Sequence, residues 1–182
     1  MDQQEVTLLL LIDLSAAFDT IDHAILLETL EKDFGVTGNA LKWLTSYLSE
    51  RKQTILIKDH ESEVFNLQSG VPQGSCLGPV LFILYVAGLF KVIDKHLPNA
   101  HMYADDTQIY HSFRPDTSLS QDAALKSIEN CVADIRAWML SNRLLINDSK
   151  TEFIIIGSKQ KMSKININEI AVGESTIVGE ST

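Results

Sequence analysis

Cysteine is scarce in this chain of 182 residues: Cys76 and Cys131 are the only two, and they match neither a metal-knuckle spacing nor a disulfide framework. A reducing compartment is expected. Proline, with four residues, and glycine, with nine, are also few, which excludes collagen-like and linker-like architectures. No apolar run approaches the roughly 18 to 20 residues that a bilayer-spanning helix requires, the longest being residues 6–12 and 79–90. The first of these lacks the basic leader of a secretory signal, since the residues before it include Asp2 and Glu5 and no Lys or Arg. An intracellular protein without a membrane partner is expected. Basic residues are outnumbered 15 to 24, for a net charge of −9, the wrong sign for a free-standing protein that must neutralise phosphates. What is abundant is apolar mass: 45% of the residues are hydrophobic and 21% charged, enough for one ordinary globular core and too little charge for disorder.

Residues 8–12 form a short apolar run that stops at Asp13, which predicts a buried strand delivering a carboxylate to the sheet edge. Ile25, Leu26 and Leu30 then share a helical face with Gly35 as its stop, and Thr37 or Asn39 can cap a second helix carrying Leu41, Leu44 and Leu48. Period-two alternation over 54–58 predicts a strand pairing with 64–68 across the polar turn at 59–62. A tight Gly- and Pro-rich loop at 69–75 precedes an apolar helix over 77–93. Residues 101–111 read as two short strands about Asp105 and Asp106, acids whose short side chains tolerate turn geometry. Ser118 or Ser120 can cap a long amphipathic helix in which Ile128, Cys131, Val132, Ile135, Trp138 and Met139 recur at helical spacing. A last hairpin is expected from 144–146 and 152–156 around residues 147–150. Beyond Gly157 the chain turns polar, with Lys159, Lys161 and Lys164 and a repeated Gly-Glu-Ser-Thr at 173–176 and 179–182. Hairpins alternating with helices, without regular β-α-β spacing, predict an α+β layer: an antiparallel sheet with helices packed on one face.

Asp13 ends one strand and the pair Asp105 and Asp106 occupies a distant hairpin tip, so separate elements each present acids from a hydrophobic support. Carboxylates brought together call for a cation, and oxygen ligands of this kind suit Mg²⁺. On spacing alone a solvated turn and a helix cap are the commoner reading of the same acids, since acidic turns are frequent. The surrounding text adds to this. Leu11-Ile12-Asp13-Leu14-Ser15-Ala16-Ala17-Phe18-Asp19, then Ser69-Gly70-Val71-Pro72-Gln73-Gly74-Ser75-Cys76-Leu77-Gly78-Pro79, then Tyr103-Ala104-Asp105-Asp106, resemble motifs A, B and C of reverse transcriptases, in order and in the style of non-LTR (LINE-type) retrotransposons. Trp138, Asn142-Arg143-Leu144-Leu145-Ile146-Asn147 and Lys150-Thr151 resemble the motif D that follows.

The resemblance implies a polymerase palm with a ferredoxin- or RRM-like core over 1–157, lacking the fingers and thumb that family members carry, and a polar tail or the start of a truncated thumb connection over 158–182. It implies an RNA-directed DNA polymerase adding deoxynucleotides to a primer 3′-hydroxyl by two-metal chemistry, with two Mg²⁺ ions, Mn²⁺ as their substitute, and RNA template, DNA primer and deoxynucleoside triphosphates as partners. Asp13, Asp105, Asp106 and the Leu14 carbonyl would hold the metals. Ala16 and Ala17 would face the triphosphate, Phe18 would exclude a 2′-hydroxyl, and Pro72, Gln73 and Gly74 would approach the template base and incoming nucleotide. Lys150 would protonate the leaving pyrophosphate. Asp19 and His23 also occur in the family pattern, where helix capping explains them equally. The acidic balance then reflects a palm separated from basic neighbours, an inactive fragment by itself, belonging in cytoplasm and nucleus to a retrotransposon ribonucleoprotein. Two alternatives are an interaction module that has lost its chemistry and an RNA-dependent RNA polymerase, the latter disfavoured by Phe18, where such enzymes usually carry an acid.

Overall fold

The computed structural model describes residues 5–72, 74–96, 98–103 and 106–181. In chain order the elements are β1 (Val6–Ile12), α1 (His23–Lys32), α2 (Gly38–Leu48), β2 (Lys52–Gln53), β3 (Leu56–Ile57), β4 (His60–Glu61), β5 (Phe65–Asn66), α3 (Gly78–Val86), α4 (Gly88–Ile93), β6 (Asn99–Tyr103), β7 (Asp106–Phe113), α5 (Ser118–Ser141), a single 3-10 turn (Asp148–Lys150), β8 (Glu152–Ile156), α6 (Lys159–Met162), β9 (Glu169–Val172) and β10 (Ser175–Ser181). They divide between two compact units, one formed by the residues up to Ser15 and from Ala87 onward, the other by Ala16–Val86. Among the described residues no helix is long and apolar enough to cross a membrane.

The first unit is a six-stranded sheet in the order β6-β7-β1-β8-β10-β9. Its pairings are antiparallel except β10 with β8, which run parallel. β1 holds the middle because it can be buried along its length: Val6, Leu8, Leu10 and Ile12 are 0 to 2% exposed, while the alternate residues are half-buried. The register sets Leu10 beside Ile109 and Phe153, so the inward rows of three strands coincide. Against that row α5 lays Ala124, Ile128, Cys131, Val132, Ile135 and Met139, all buried. This is the expected α+β arrangement, an antiparallel-dominated sheet with α5 packed on one face. Thr117, rather than either expected serine, occupies the N-cap of α5, and it forms a reciprocal capping box with Ser120.

Three expectations are corrected here. Residues 144–146 do not form a hairpin with β8: Ile146 bridges Leu14 instead, and β8 pairs with β1 and β10. Both segments are apolar, and the far-off end of β1 supplied a better partner than the near neighbour. Residues 158–182 are not a polar tail, since they add α6, β9 and β10 to the unit. The signal was the set of apolar residues Ile167, Ile170 and Val172, all buried, which their polar neighbours Asn168 and Glu169 concealed. The apolar helix expected over 77–93 is broken, α3 ending at Val86 and α4 starting at Gly88. A Cβ at Gly88 would meet the Trp138 ring at 3.1 Å, so glycine there lets α4 sit against α5.

In the second unit Asp22 caps α1 by accepting from the Ala24 and Ile25 N–H groups at 2.9 and 3.1 Å. Gly35, with φ +67°, closes the end of α1 as anticipated. The pairing expected between 54–58 and 64–68 is not made: β3 pairs with β4, which lies in the expected turn, and β5 pairs with β2, each over two residues. Their apolar residues, among them Leu56, Ile57 and Phe65, are exposed, so no buried face fixes a longer register.

Candidate active site

In the first unit the chemistry-bearing residues hang from the C-terminal end of β1. The last register pair between β1 and β7 is Ile12 with Thr107, so Asp13 and Asp106 are the next residues along each strand. Ile12 and Thr107 point into the core, at 2 and 1% exposed, and alternation therefore turns both aspartates to the face away from α5. Asp106 is exposed and pairs with Tyr103, the end of β6. Asp105 lies outside the described residues.

Asp13 is held on its other side by the segment before β8. Its carbonyl accepts the Asn147 N–H at 2.9 Å, and the Ser15 N–H donates to the Leu145 carbonyl at 2.9 Å. These two bonds flank the bridge between Leu14 and Ile146. The Leu14 carbonyl, which takes part in neither, therefore points to the opposite side of the strand, the side on which β7 runs. The Leu14 side chain is buried.

The carboxylate of Asp13 is electrostatically incomplete. Its Oδ2 is buried and accepts no hydrogen bond among the described residues. Lys150 brings a cation near, its Nζ 3.8 Å from that oxygen, too far for a hydrogen bond, on a side chain 69% exposed. A buried anionic oxygen without a donor is costly unless a charge partner completes it, and a carboxylate oxygen is a natural ligand for a hard divalent cation. Among the described residues no group of three or more His, Cys, Asp or Glu side chains converges as a full metal cage would. Asp13 and Asp106 supply two acids, and the expected third is Asp105.

In the second unit the segment after Ser15 and the 69–75 loop are built as one piece. Ala16 takes a left-handed conformation, φ +49°, and is exposed, while Ala17 is buried. The Ala16 carbonyl accepts the Asp19 and Thr20 N–H groups at 2.9 and 3.1 Å, closing a tight turn. Phe18 is half-buried, its ring centroid 4.9 Å from that of Phe82 on α3. The loop then docks on this turn through three bonds: Val71 N–H to the Phe18 carbonyl at 2.9 Å, Gly70 N–H to the Ile21 carbonyl at 2.8 Å, and the Ser69 hydroxyl to the Asp19 carbonyl at 3.0 Å. Gly70, at φ +87°, is where the backbones meet, since a Cβ would lie 3.0 Å from both Asp19 Cα and Asp19 O. His23 Nε2 lies 2.7 Å from the Gly70 carbonyl, a loop-fastening bond rather than a helix cap. Pro72 is half-buried and Gly74 exposed at φ +78°; Ser75 Oγ accepts the Gly78 N–H at 3.0 Å at the start of α3. Gln73 lies outside the described residues.

The sequence reading missed Arg136, Asp148 and Ser175. The carboxylate of Asp148, two residues before Lys150, accepts from the Arg136 guanidinium and from the Ser175 hydroxyl at 3.1 Å. No local pattern announces such a trio. An acid in a turn and an arginine on an amphipathic helix each read as solvated until the sheet brings them together.

A protein-family model described as reverse transcriptase (RNA-dependent DNA polymerase) matches residues 1–169. The chain is 28% identical over 155 residues to the probable RNA-directed DNA polymerase from transposon BS of Drosophila melanogaster, covering 82% of this chain and 16% of that protein. It is 24% identical over 139 residues to the Pol polyprotein of the type-1 retrotransposable element R2 of Popillia japonica, covering 76% of this chain and 23% of that one. This chain thus spans about a sixth to a quarter of the length of these relatives. Among solved structures, apo telomerase from Candida tropicalis truncated from its C-terminal domain is similar in fold, with TM-score 0.63 and 16% identity over 95% of this chain and 34% of that chain. Telomerase from Candida albicans, in complex with a fragment of telomeric RNA, gives TM-score 0.61 at 12% identity over 94% of this chain and 29% of that chain.

Proposed function

Because the chain belongs to the reverse transcriptase (RNA-dependent DNA polymerase) family, with relatives named from non-LTR retrotransposons, we propose that it carries the catalytic acids of an RNA-directed DNA polymerase. The observation that supports this most is the end of β1, where Asp13 and Asp106 share one sheet face and a buried carboxylate oxygen has no hydrogen-bond donor among the described residues. Asp13, Asp105, Asp106 and the Leu14 carbonyl are the residues that would hold divalent cations. Two Mg²⁺ ions, or Mn²⁺ in their place, would there supply the charge neutralisation and Lewis acidity that nucleotidyl transfer requires. Lys150, 3.8 Å from Asp13 Oδ2, would be the general acid for a departing pyrophosphate. Ala16 and Ala17 would face the triphosphate, with Pro72, Gln73 and Gly74 toward the base. The partners would be an RNA template, a DNA primer and deoxynucleoside triphosphates. An acidic chain of net charge −9 needs basic surfaces from other segments to grip nucleic acid, so this chain by itself would bind cations without extending primers.

The test is primer extension on poly(rA) with oligo(dT), using this chain joined to the flanking segments that its longer relatives carry. Extension with Mg²⁺ or Mn²⁺ that Asp105→Asn abolishes is the expected result. No extension with either metal, or an unchanged rate in the variant, would reject the catalytic reading and leave the interaction module.

Phe18 carries a separate prediction. Packed against Phe82 with the rings tilted by 32° and their centroids 4.9 Å apart, the ring would present a wall to a 2′-hydroxyl. In the same extended protein Phe18→Val is expected to raise incorporation of ribonucleotides relative to deoxynucleotides, measured as the ratio of kcat/KM values. An unaltered ratio removes the role of sugar gate.

A further inference from the structure

We infer that Arg136 is a positioning residue for Lys150, acting through Asp148, and that the β9–β10 hairpin belongs to the support of the candidate active site; this rests on the reading of Asp13 and Lys150 given above. Arg136 projects from α5 and spends one nitrogen twice: Nη2 donates to Asp148 Oδ1 and, at 3.2 Å, to the Val172 carbonyl at the end of β9. The second oxygen of Asp148 accepts the Ser175 hydroxyl at the start of β10. Between Val172 and Ser175 the hairpin turn is shaped to the guanidinium. A Cβ on Gly173 would stand 2.6 Å from Arg136 Nε and 2.8 Å from Cζ, and the residue has φ +66°. The Arg136 Nε is itself buried without an acceptor among the described residues. This is an arginine packed flat on glycine in order to aim its other end at one carboxylate.

That carboxylate opens the 3-10 turn Asp148–Lys150. Immediately before it, the Asn147 N–H binds the Asp13 carbonyl at 2.9 Å; two residues after it, Lys150 Nζ stands 3.8 Å from Asp13 Oδ2. Asp148 therefore sits between the two points at which the turn meets Asp13. The remaining ties within the turn are local, such as Thr151 Oγ1 to the Asn147 carbonyl at 2.9 Å, and shape it without anchoring it to the rest of the unit. On its lysine side the turn runs into β8, whose Glu152 is paired with Leu11 of β1; between these two sheet anchors, the link from Asp148 to α5 and to the hairpin ties the turn to the rest of the unit. Release of Asp148 would leave Asn147 on β1 while Lys150, on a largely exposed side chain, drifts from the carboxylate.

Mn²⁺ added to this chain, with lysine side chains carbon-13 labelled and the Lys150 signal assigned by Lys150→Arg, provides the measurement. In the unmodified chain Mn²⁺ is expected to bind and to broaden the Lys150 signal strongly, while Asp13→Ala abolishes the broadening. In Arg136→Gln binding should persist and the paramagnetic relaxation of Lys150 should fall severalfold. Ser175→Ala, which removes one bond at a half-buried position, should shift it in the same direction by less, and it carries the test if Arg136→Gln does not fold. A folded variant that binds Mn²⁺ with Lys150 broadened as before would overturn the inference alone, as a merely structural ion pair would behave. Failure of the unmodified chain to bind Mn²⁺ would overturn the reading of Asp13 and this inference with it. In the longer primer-extending protein, Arg136→Gln should slow extension, yet slow it no further in a Lys150→Gln background; additive losses would count against action through Lys150.

Discussion

Asp13→Asn should lower primer extension by roughly three orders of magnitude or more, because charge stabilisation by bound metal contributes several kcal/mol and about 1.4 kcal/mol corresponds to tenfold. The substitution keeps the shape of the side chain, the Asn147 bond to the backbone carbonyl and the strand register. What it removes is the negative charge, on a group whose Oδ2 is buried without a hydrogen-bond donor among the described residues. Loss of such a charge does not cost the fold its usual salt-bridge stabilisation, since Lys150 is 3.8 Å away and 69% exposed. Thermal melting of the metal-free variant should therefore match or exceed that of the parent, while Mn²⁺ affinity, read by water-proton relaxation, drops. Activity and stability moving in opposite directions is the signature of a residue kept for chemistry at the expense of the fold. A variant that melts several degrees lower and still extends primers would show that Asp13 serves structure.

Gly70→Ala is expected to be among the most destabilising single-methyl additions in the chain, at about 2 to 5 kcal/mol. Overpacking against unyielding atoms costs about 1 to 3 kcal/mol, and a positive φ about 1 to 2 kcal/mol for an L residue. The atoms a methyl would strike, Asp19 Cα and O at 3.0 Å and Phe18 O at 3.2 Å, are all backbone, so no rotamer change relieves the clash. Gly74 provides the control, having φ +78° but nothing within 4 Å of its Cβ position. Gly74→Ala should lose only the conformational part, about 1 kcal/mol. Urea denaturation of both variants decides it. Equal losses would mean that the 69–75 loop does not ride on the Phe18–Asp19 backbone as closely as described.

The features legible in the sequence were those governed by neighbours along the chain. The run ending at Asp13 became β1, the helical spacing of Ile128, Ile135 and Met139 became the buried stripe of α5, and Gly35 closed α1. Partner choice across the sheet was not legible, because Leu144 and Ile146 carry the same apolar signal whichever strand they meet. Gln121 shows the same limit: a polar residue in the helical stripe, it is buried because its amide donates to the Lys164 carbonyl and accepts the Asn166 N–H, both at 2.8 to 2.9 Å and both from a segment read as tail. For the candidate site, the motifs named residues that the structure brings near one another in the first unit, Asp13, Asp106 and Lys150, and residues it joins in the second, Phe18 and the loop from Ser69. They could not name Arg136 or Ser175, whose significance depends on geometry assembled from three distant stretches.

β1 is bordered by β7 on one side and β8 on the other, and its outward neighbours are themselves paired. Amide protons of Leu8 and Leu10 should consequently be the slowest to exchange with deuterated solvent, giving way only when the whole unit opens. The edge strands β6 and β9 can breathe without disturbing Asp13. Asp13, next after the end of the central strand of its unit, would then keep its position while the sheet edges open and close, as the proposed catalytic role requires.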